Sequence, residues 1–122
     1  MVLVDSSVWI DALRHSGPAD IRQRLQTLLE AGEAAWCAAI RLELWPGTRD
    51  GRERGILVQY QSIVADLPVT EGVWAHAIDL AERARKRGMS CPYPDLLIHA
   101  CATVNGVELL HRDKHFDQLA SL

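Results

Sequence analysis

Four acidic side chains stand where they could share one site. Asp5 directly follows the apolar run Val2-Leu3-Val4, and Glu43 lies in the helical register set by Ile40 and Leu44. Asp95 falls in a first helical turn after Pro94, and Asp113 comes just past the strand-like segment Val107–Leu110. Two carboxylates about 4 Å apart repel by about 4 kcal/mol at an effective dielectric near 20, so such a cluster needs protonated members or a bound cation. Sites built from carboxylate oxygens suit Mg2+ or Mn2+, ions that retain several waters and can hold a phosphate oxygen. The chemistry this arrangement supports is phosphodiester hydrolysis. An acidified water is oriented by a carboxylate, and positive charge offsets the charge growing on the phosphorus oxygens. Each acid also has an ordinary reading. Asp5, Asp95 and Asp113 could be helix caps or first-turn acids, Glu43 could be a solvated helix residue, and Asp11, Asp20, Asp66 and Asp79 compete by spacing.

The elements that must position these acids alternate along the chain. Val2–Val4 reads as a strand, and Val8, Trp9, Ala12 and Leu13 recur at helical spacing after it. Gly17-Pro18 opens a second helix, with Ile21, Leu25, Leu28 and Leu29 on one face and a stop near Gly32. Ala34–Ala38 predicts a buried strand, and the helix carrying Glu43 follows it up to Pro46-Gly47. Thr48–Gly55 is polar and reads as a flexible loop, before a helical pattern through Ile56, Leu57, Tyr60, Ile63 and Val64. Leu67–Val69 predicts a short strand, and Thr70 caps a helix running to Arg87, with Gly88 as its stop. A mostly apolar helix over Leu96–Val104, a strand over Val107–Leu110 and a short final helix with Phe116 and Leu119 complete the pattern. Strands alternating with helices predict an α/β fold, a three-layer α/β/α sandwich around a parallel sheet. In such sheets ligands bind beyond the carboxyl ends of the strands, where Asp5 and Asp113 fall.

Composition narrows the class further. The 122 residues suit one domain, 1–122, and the sequence contains no repeat, low-complexity tract or linker. No stretch approaches the roughly 20 apolar residues of a membrane span, and the N-terminus lacks the features of an export signal. Cys37, Cys91 and Cys101 are odd in number and widely spaced, which predicts free thiols and a cytoplasmic location. The net charge of -3 gives no general field for nucleic acid, so a polyanion must be held locally. Of the 13 cations, 11 are arginines, whose planar fork suits phosphate. Arg49, Arg52 and Arg54 in the polar Thr48–Gly55 stretch are candidate contacts to the phosphates of such a polyanion or plain solvated charge.

The residues flanking the acids are more specific than the acids alone. VLVDSSVWID at the start, ELWPG around Glu43, PDLLIHACA after Pro94 and the closing LLHRDKHFD resemble the PIN-domain nucleases, in particular the toxin subunit of VapBC toxin–antitoxin pairs, over essentially the whole chain. The resemblance implies that Asp5, Glu43, Asp95 and Asp113 form the family's catalytic quartet. It also implies that Asp5, Asp95 and Asp113 bind Mg2+ or Mn2+, and that the substrate is single-stranded RNA. Ser7 matches the small polar residue that hydrogen-bonds within the site, and Asp117 looks like an auxiliary acid that could support a second ion. His111 departs from the pattern, which more often has Thr or Ser there. Its imidazole could contact phosphate or an acid, or could simply pack or cap. The resemblance further implies a homodimer and a small VapB-like antitoxin, with Trp9, Trp45 and the apolar faces of the second and third helices as contact surface.

Other classes fit less well. A phospho-acceptor receiver domain wants adjacent acids after an early strand and a late strand-end Lys, whereas Asp5 stands beside serines and Lys114 is poorly placed. His111 and His115 lack the H-E-x-x-H context of a zinc site, and the cysteines form no C-x-x-C pair. A catalytically silent PIN-like binding module is the alternative that metal-dependent cleavage separates from a nuclease.

Overall fold

The computed structural model describes residues 1–122 as four strands and seven helices. Strand β1 (Val2–Val4) and strand β2 (Ala34–Cys37) are buried along their whole length, as their continuous apolar runs require of central parallel strands. Strands β3 (Ala65–Leu67) and β4 (Glu108–Leu110) are partly exposed and form the two edges. The order is β3-β2-β1-β4 and every pairing is parallel, with Val2 opposite Ala34 on one side and Glu108 on the other.

Helices α1 (Ser6–Arg14) and α2 (Ala19–Glu30) connect β1 to β2, and α3 (Ala38–Leu44) and α4 (Gly51–Tyr60) connect β2 to β3. Helices α5 (Glu71–Lys86) and α6 (Tyr93–Asn105) pack on each other and lead back across the sheet to β4, followed by α7 (Lys114–Ala120). Successive connections step outward from β1 to β3, then reverse to reach β4. By the right-handed rule for such crossovers, α5 and α6 therefore cover the face opposite α1, α2 and α4. This is the three-layer α/β arrangement expected from the alternating pattern. One core of buried side chains runs through it, from Leu3 and Val4 to Trp36, Ile98 and Phe116.

Local chemistry accounts for several boundaries. Thr70 caps α5 by accepting from the Val73 N–H at 3.3 Å, and Gly88 turns the chain at φ 68°, so that Met89 N–H reaches Ala84 O at 2.9 Å. Two expectations need correction. The polar Thr48–Gly55 stretch is not a loop throughout: Asp50 caps α4, accepting from the Glu53 N–H at 2.9 Å, and the helix begins at Gly51. The third strand lies at Ala65–Leu67 rather than Leu67–Val69, because Pro68 has no N–H to offer the ladder beyond it.

Candidate active site

The reversal in strand order places the carboxyl ends of β1 and β4 side by side, and the Asp5 N–H donates to Leu110 O at 2.9 Å. A crevice at such a switch point is where open parallel sheets bind ligands. Asp5 caps α1: its Oδ2 accepts from the Ser7 N–H at 3.1 Å and from the Ser7 hydroxyl at 2.5 Å. Asp113 caps α7 in the same way, accepting from the His115 N–H at 2.9 Å. Asp95 lies in the first turn of α6, where Pro92 and Pro94 start the helix, and only 8% of it is exposed. Glu43 lies one residue from the end of α3 and accepts from the Ser6 hydroxyl at 3.0 Å.

The structure thus brings Asp5, Glu43, Asp95 and Asp113 from four separate elements into mutual electrostatic contact. Burial raises the pKa of Glu43, as do the charges of Asp5, Asp95 and Asp113. Asp95 is likewise raised by burial, and then by Asp113 and Asp5. No Lys or Arg stands within ion-pair distance of any of the four; the one partner is His115, whose Nδ1 lies 3.1 Å from both Asp95 Oδ2 and Asp113 Oδ1. Carboxylates crowded together without a compensating arginine form the donor set that a divalent cation satisfies, so these residues fit Mg2+ or Mn2+.

The remaining sequence-selected residues lie elsewhere. Ser7 bonds Asp5 directly. Asp117 is not gathered with the ligand atoms of Asp95, Asp113 and His115: its carboxylate is 78% exposed and lies 3.6 Å from His111 Nε2. His111 packs on Phe116 with ring centroids 5.0 Å apart and accepts from the Asp113 N–H at 3.2 Å. Arg49 and Arg52 gather around Glu53 at the start of α4, and Arg54 is exposed. Trp9 is fully buried, donates to Val4 O at 2.9 Å and packs against Trp36, so it offers no surface to a partner; the fully apolar stripe it belongs to faces the core. Trp45 is half-buried, edge-on to Trp36.

Sequence reasoning passed over three residues of this region. Ser6 holds Glu43, but nothing separates it from Ser7 in the sequence. His115 was weighed only against a zinc motif, although its place two residues after a capping Asp was legible. Arg112, between His111 and Asp113, binds the buried Asp11 of α1 through its Nε and, at 3.1 Å, through its Nη2. That pair ties the loop carrying Asp113 to the helix that begins at Asp5.

Comparison with known proteins agrees with this geometry. The family model described as PIN domain matches residues 2–122. Ribonuclease VapC21 of Mycobacterium tuberculosis is 31% identical over 98% of this chain and 86% of its own length. VapC ribonuclease Mb1587 of Mycobacterium bovis is 29% identical over 100% of this chain and 93% of its own. Among solved structures, VapBC2 from Rickettsia felis bound to a promoter DNA fragment aligns with a TM-score of 0.82 at 17% identity, covering 100% of this chain and 96% of that one. VapBC-1 from nontypeable Haemophilus influenzae aligns with a TM-score of 0.75 at 19% identity, covering 99% and 93%. With its sheet order, its acid-lined switch point and relatives alike over nearly their full length, this chain belongs to the PIN-domain family, among the VapC ribonucleases.

Proposed function

We propose that the chain is a metal-dependent endoribonuclease, the toxin of a toxin–antitoxin pair, cutting single-stranded RNA at the acidic quartet. The observation that carries this reading is the cluster Asp5–Glu43–Asp95–Asp113, buried or half-buried and without a single arginine or lysine partner. In this reading Asp5, Asp95 and Asp113 hold Mg2+ or Mn2+. When bound, such an ion acidifies water and offsets charge on the phosphate oxygens. Glu43, whose pKa is raised by burial and by its neighbours' charges, would in its carboxylate form be the base that accepts a proton from water at the site. Ser7 and Ser6 fix the orientations of Asp5 and Glu43 through their hydroxyls, and the Asp11–Arg112 pair steadies Asp113. Asp117 is the candidate support for a second ion. Arg49, Arg52 and Arg54 are the candidate phosphate contacts, and of these Arg54 has no carboxylate partner.

The partners we propose are RNA, a small VapB-like antitoxin and a second copy of the chain, in the cytoplasm, with residues 1–122 acting as one nuclease unit. The support for protein partners is an apolar surface shared by α3, α5 and α6. Leu42, Trp74, Ile78 and Tyr93 are 75%, 48%, 58% and 81% exposed there. Contiguous exposed apolar area of this kind marks association surfaces. No helix is long and apolar enough to cross a membrane. The experiment is cleavage of total bacterial RNA by the purified, partner-free protein with Mn2+ or Mg2+ and with chelator, beside Asp5→Asn. Discrete cuts that need metal and vanish in the variant are expected. No cutting together with no metal binding would favour the silent binding module.

A further inference from the structure

The quartet is a set of oxygen donors, yet the side chain that stands closest to two of its members offers nitrogen. His115 Nδ1 lies 3.1 Å from Asp95 Oδ2 and 3.1 Å from Asp113 Oδ1, and one ligand atom from each of the three residues falls within 4.8 Å of the others. Donors about 2.1 Å from an octahedral ion stand roughly 3 Å apart at neighbouring positions, so the two 3.1 Å separations are those of neighbouring ligands to one cation. The ring is also held in place. The His115 N–H is fixed by the Asp113 cap, and the next residue, Phe116, is anchored in the core. The ring itself is 30% exposed, so it lines the crevice without being sealed from it.

An imidazole turned on two carboxylates could merely donate a hydrogen bond to them. Mn2+ shares the preference of Mg2+ for oxygen, but as the first member of the transition series that imidazole ligates it takes a nitrogen donor at less cost than Mg2+, which is held by oxygen and water. We propose that His115 is a nitrogen ligand of the site's divalent ion and biases the site toward Mn2+ over Mg2+. This inference rests on the nuclease reading and sharpens its choice of metal.

The test uses the full metal-free chain, titrated calorimetrically with Mn2+ and with Mg2+, beside His115→Asp and His115→Gln. His115→Asp keeps a donor in place, so both ions should still bind while the Mn2+:Mg2+ affinity ratio falls at least tenfold. The Mn2+-loaded wild type should show nitrogen hyperfine coupling in pulsed electron paramagnetic resonance, and His115→Gln, with its fold checked by circular dichroism, should lack it. An unchanged affinity ratio, or Mn2+ bound with no nitrogen coupling while RNA is still cut, would overturn this inference and leave the nuclease standing. A chain that binds neither ion would overturn both.

Discussion

Two sets of buried acids in this molecule have met opposite fates. Asp11 and Glu53 are 3% and 1% exposed, and each is wrapped by cations and donors. Asp11 binds Arg112 and accepts from the Ser16 hydroxyl at 3.0 Å, while Glu53 faces Arg14, Arg49 and Arg52 and accepts from the Arg49 N–H at 2.8 Å. Asp5 and Asp95, 4% and 8% exposed, have no Lys or Arg: Asp5 accepts from the Ser7 N–H and hydroxyl, Asp95 faces a single imidazole, and both stand against Glu43 and Asp113. Equal burial with unequal compensation separates acids whose charge the fold neutralises from acids whose charge it leaves crowded. The pKa directions agree. Glu53 is lowered to about 2, chiefly by the Arg49 N–H and then by the Arg14 side chain, whereas Glu43 and Asp95 are raised.

The sharpest way to break this contrast is by substitution on the site side. Asp95→Asn should lower RNA cleavage at least about a hundredfold with the fold kept, as measured by initial rates beside circular dichroism. Substantial activity would remove Asp95 from the chemistry. On the structural side, Asp11→Ala strips Arg112 and Ser16 of their partner and should cost about 2 kcal/mol in denaturant unfolding. A silent Asp11→Ala would mean that the pair holds nothing. Gly17→Ala should destabilise in the same sense, because at its φ of 72° an added Cβ collides with the Asp11 carboxylate.

Acid titration extends the comparison. Since the folded-state pKa of Glu53 lies below its unfolded value of about 4.5, its contribution is present above that pH and is lost as pH falls toward about 2. Glu43 and Asp95 have raised values, so acidification relieves their repulsion and works the other way. The stability advantage of wild type over Glu53→Gln should therefore shrink between about pH 5 and about pH 3. An advantage independent of pH would show that Glu53 acts through packing instead of charge. The smallest effect should come from Glu43→Gln in metal-free buffer, a rise in melting temperature of roughly 2 °C as one charge leaves the cluster while a partner for Ser6 remains. A clear fall would make Glu43 a structural acid.

Which of these acids the sequence reveals follows from the same physics. Asp5 follows a continuous apolar strand, Asp95 lies in a first helical turn and Asp113 caps α7, and strand periodicity and capping chemistry mark those places, so the alternating fold and these three acids were legible, whereas Glu43, near the end of α3, was marked only by its helical register. Glu53 was not. Its compensation comes partly from Arg14, 39 positions away, and a buried charge whose partners are distant looks like any polar residue in a polar stretch. The start of α4 read as loop although its signals are local: Asp50 accepts from the Glu53 N–H three residues on, and Arg49 and Arg52 pair with Glu53 four residues and one residue away. Trp9 shows the converse: apolar periodicity locates its helix but does not say that its indole turns inward to Val4. His115 escaped because its place beside the cluster depends on where α6 brings Asp95, a contact 20 residues away.

The most direct test of the central claim is calorimetric titration of the metal-free protein with Mn2+, for wild type, Asp95→Asn and Glu53→Gln side by side. Saturable binding is expected in wild type, its loss in Asp95→Asn and its survival in folded Glu53→Gln. Undiminished binding in Asp95→Asn would contradict the claim, because uncompensated charge would then not be what defines the site.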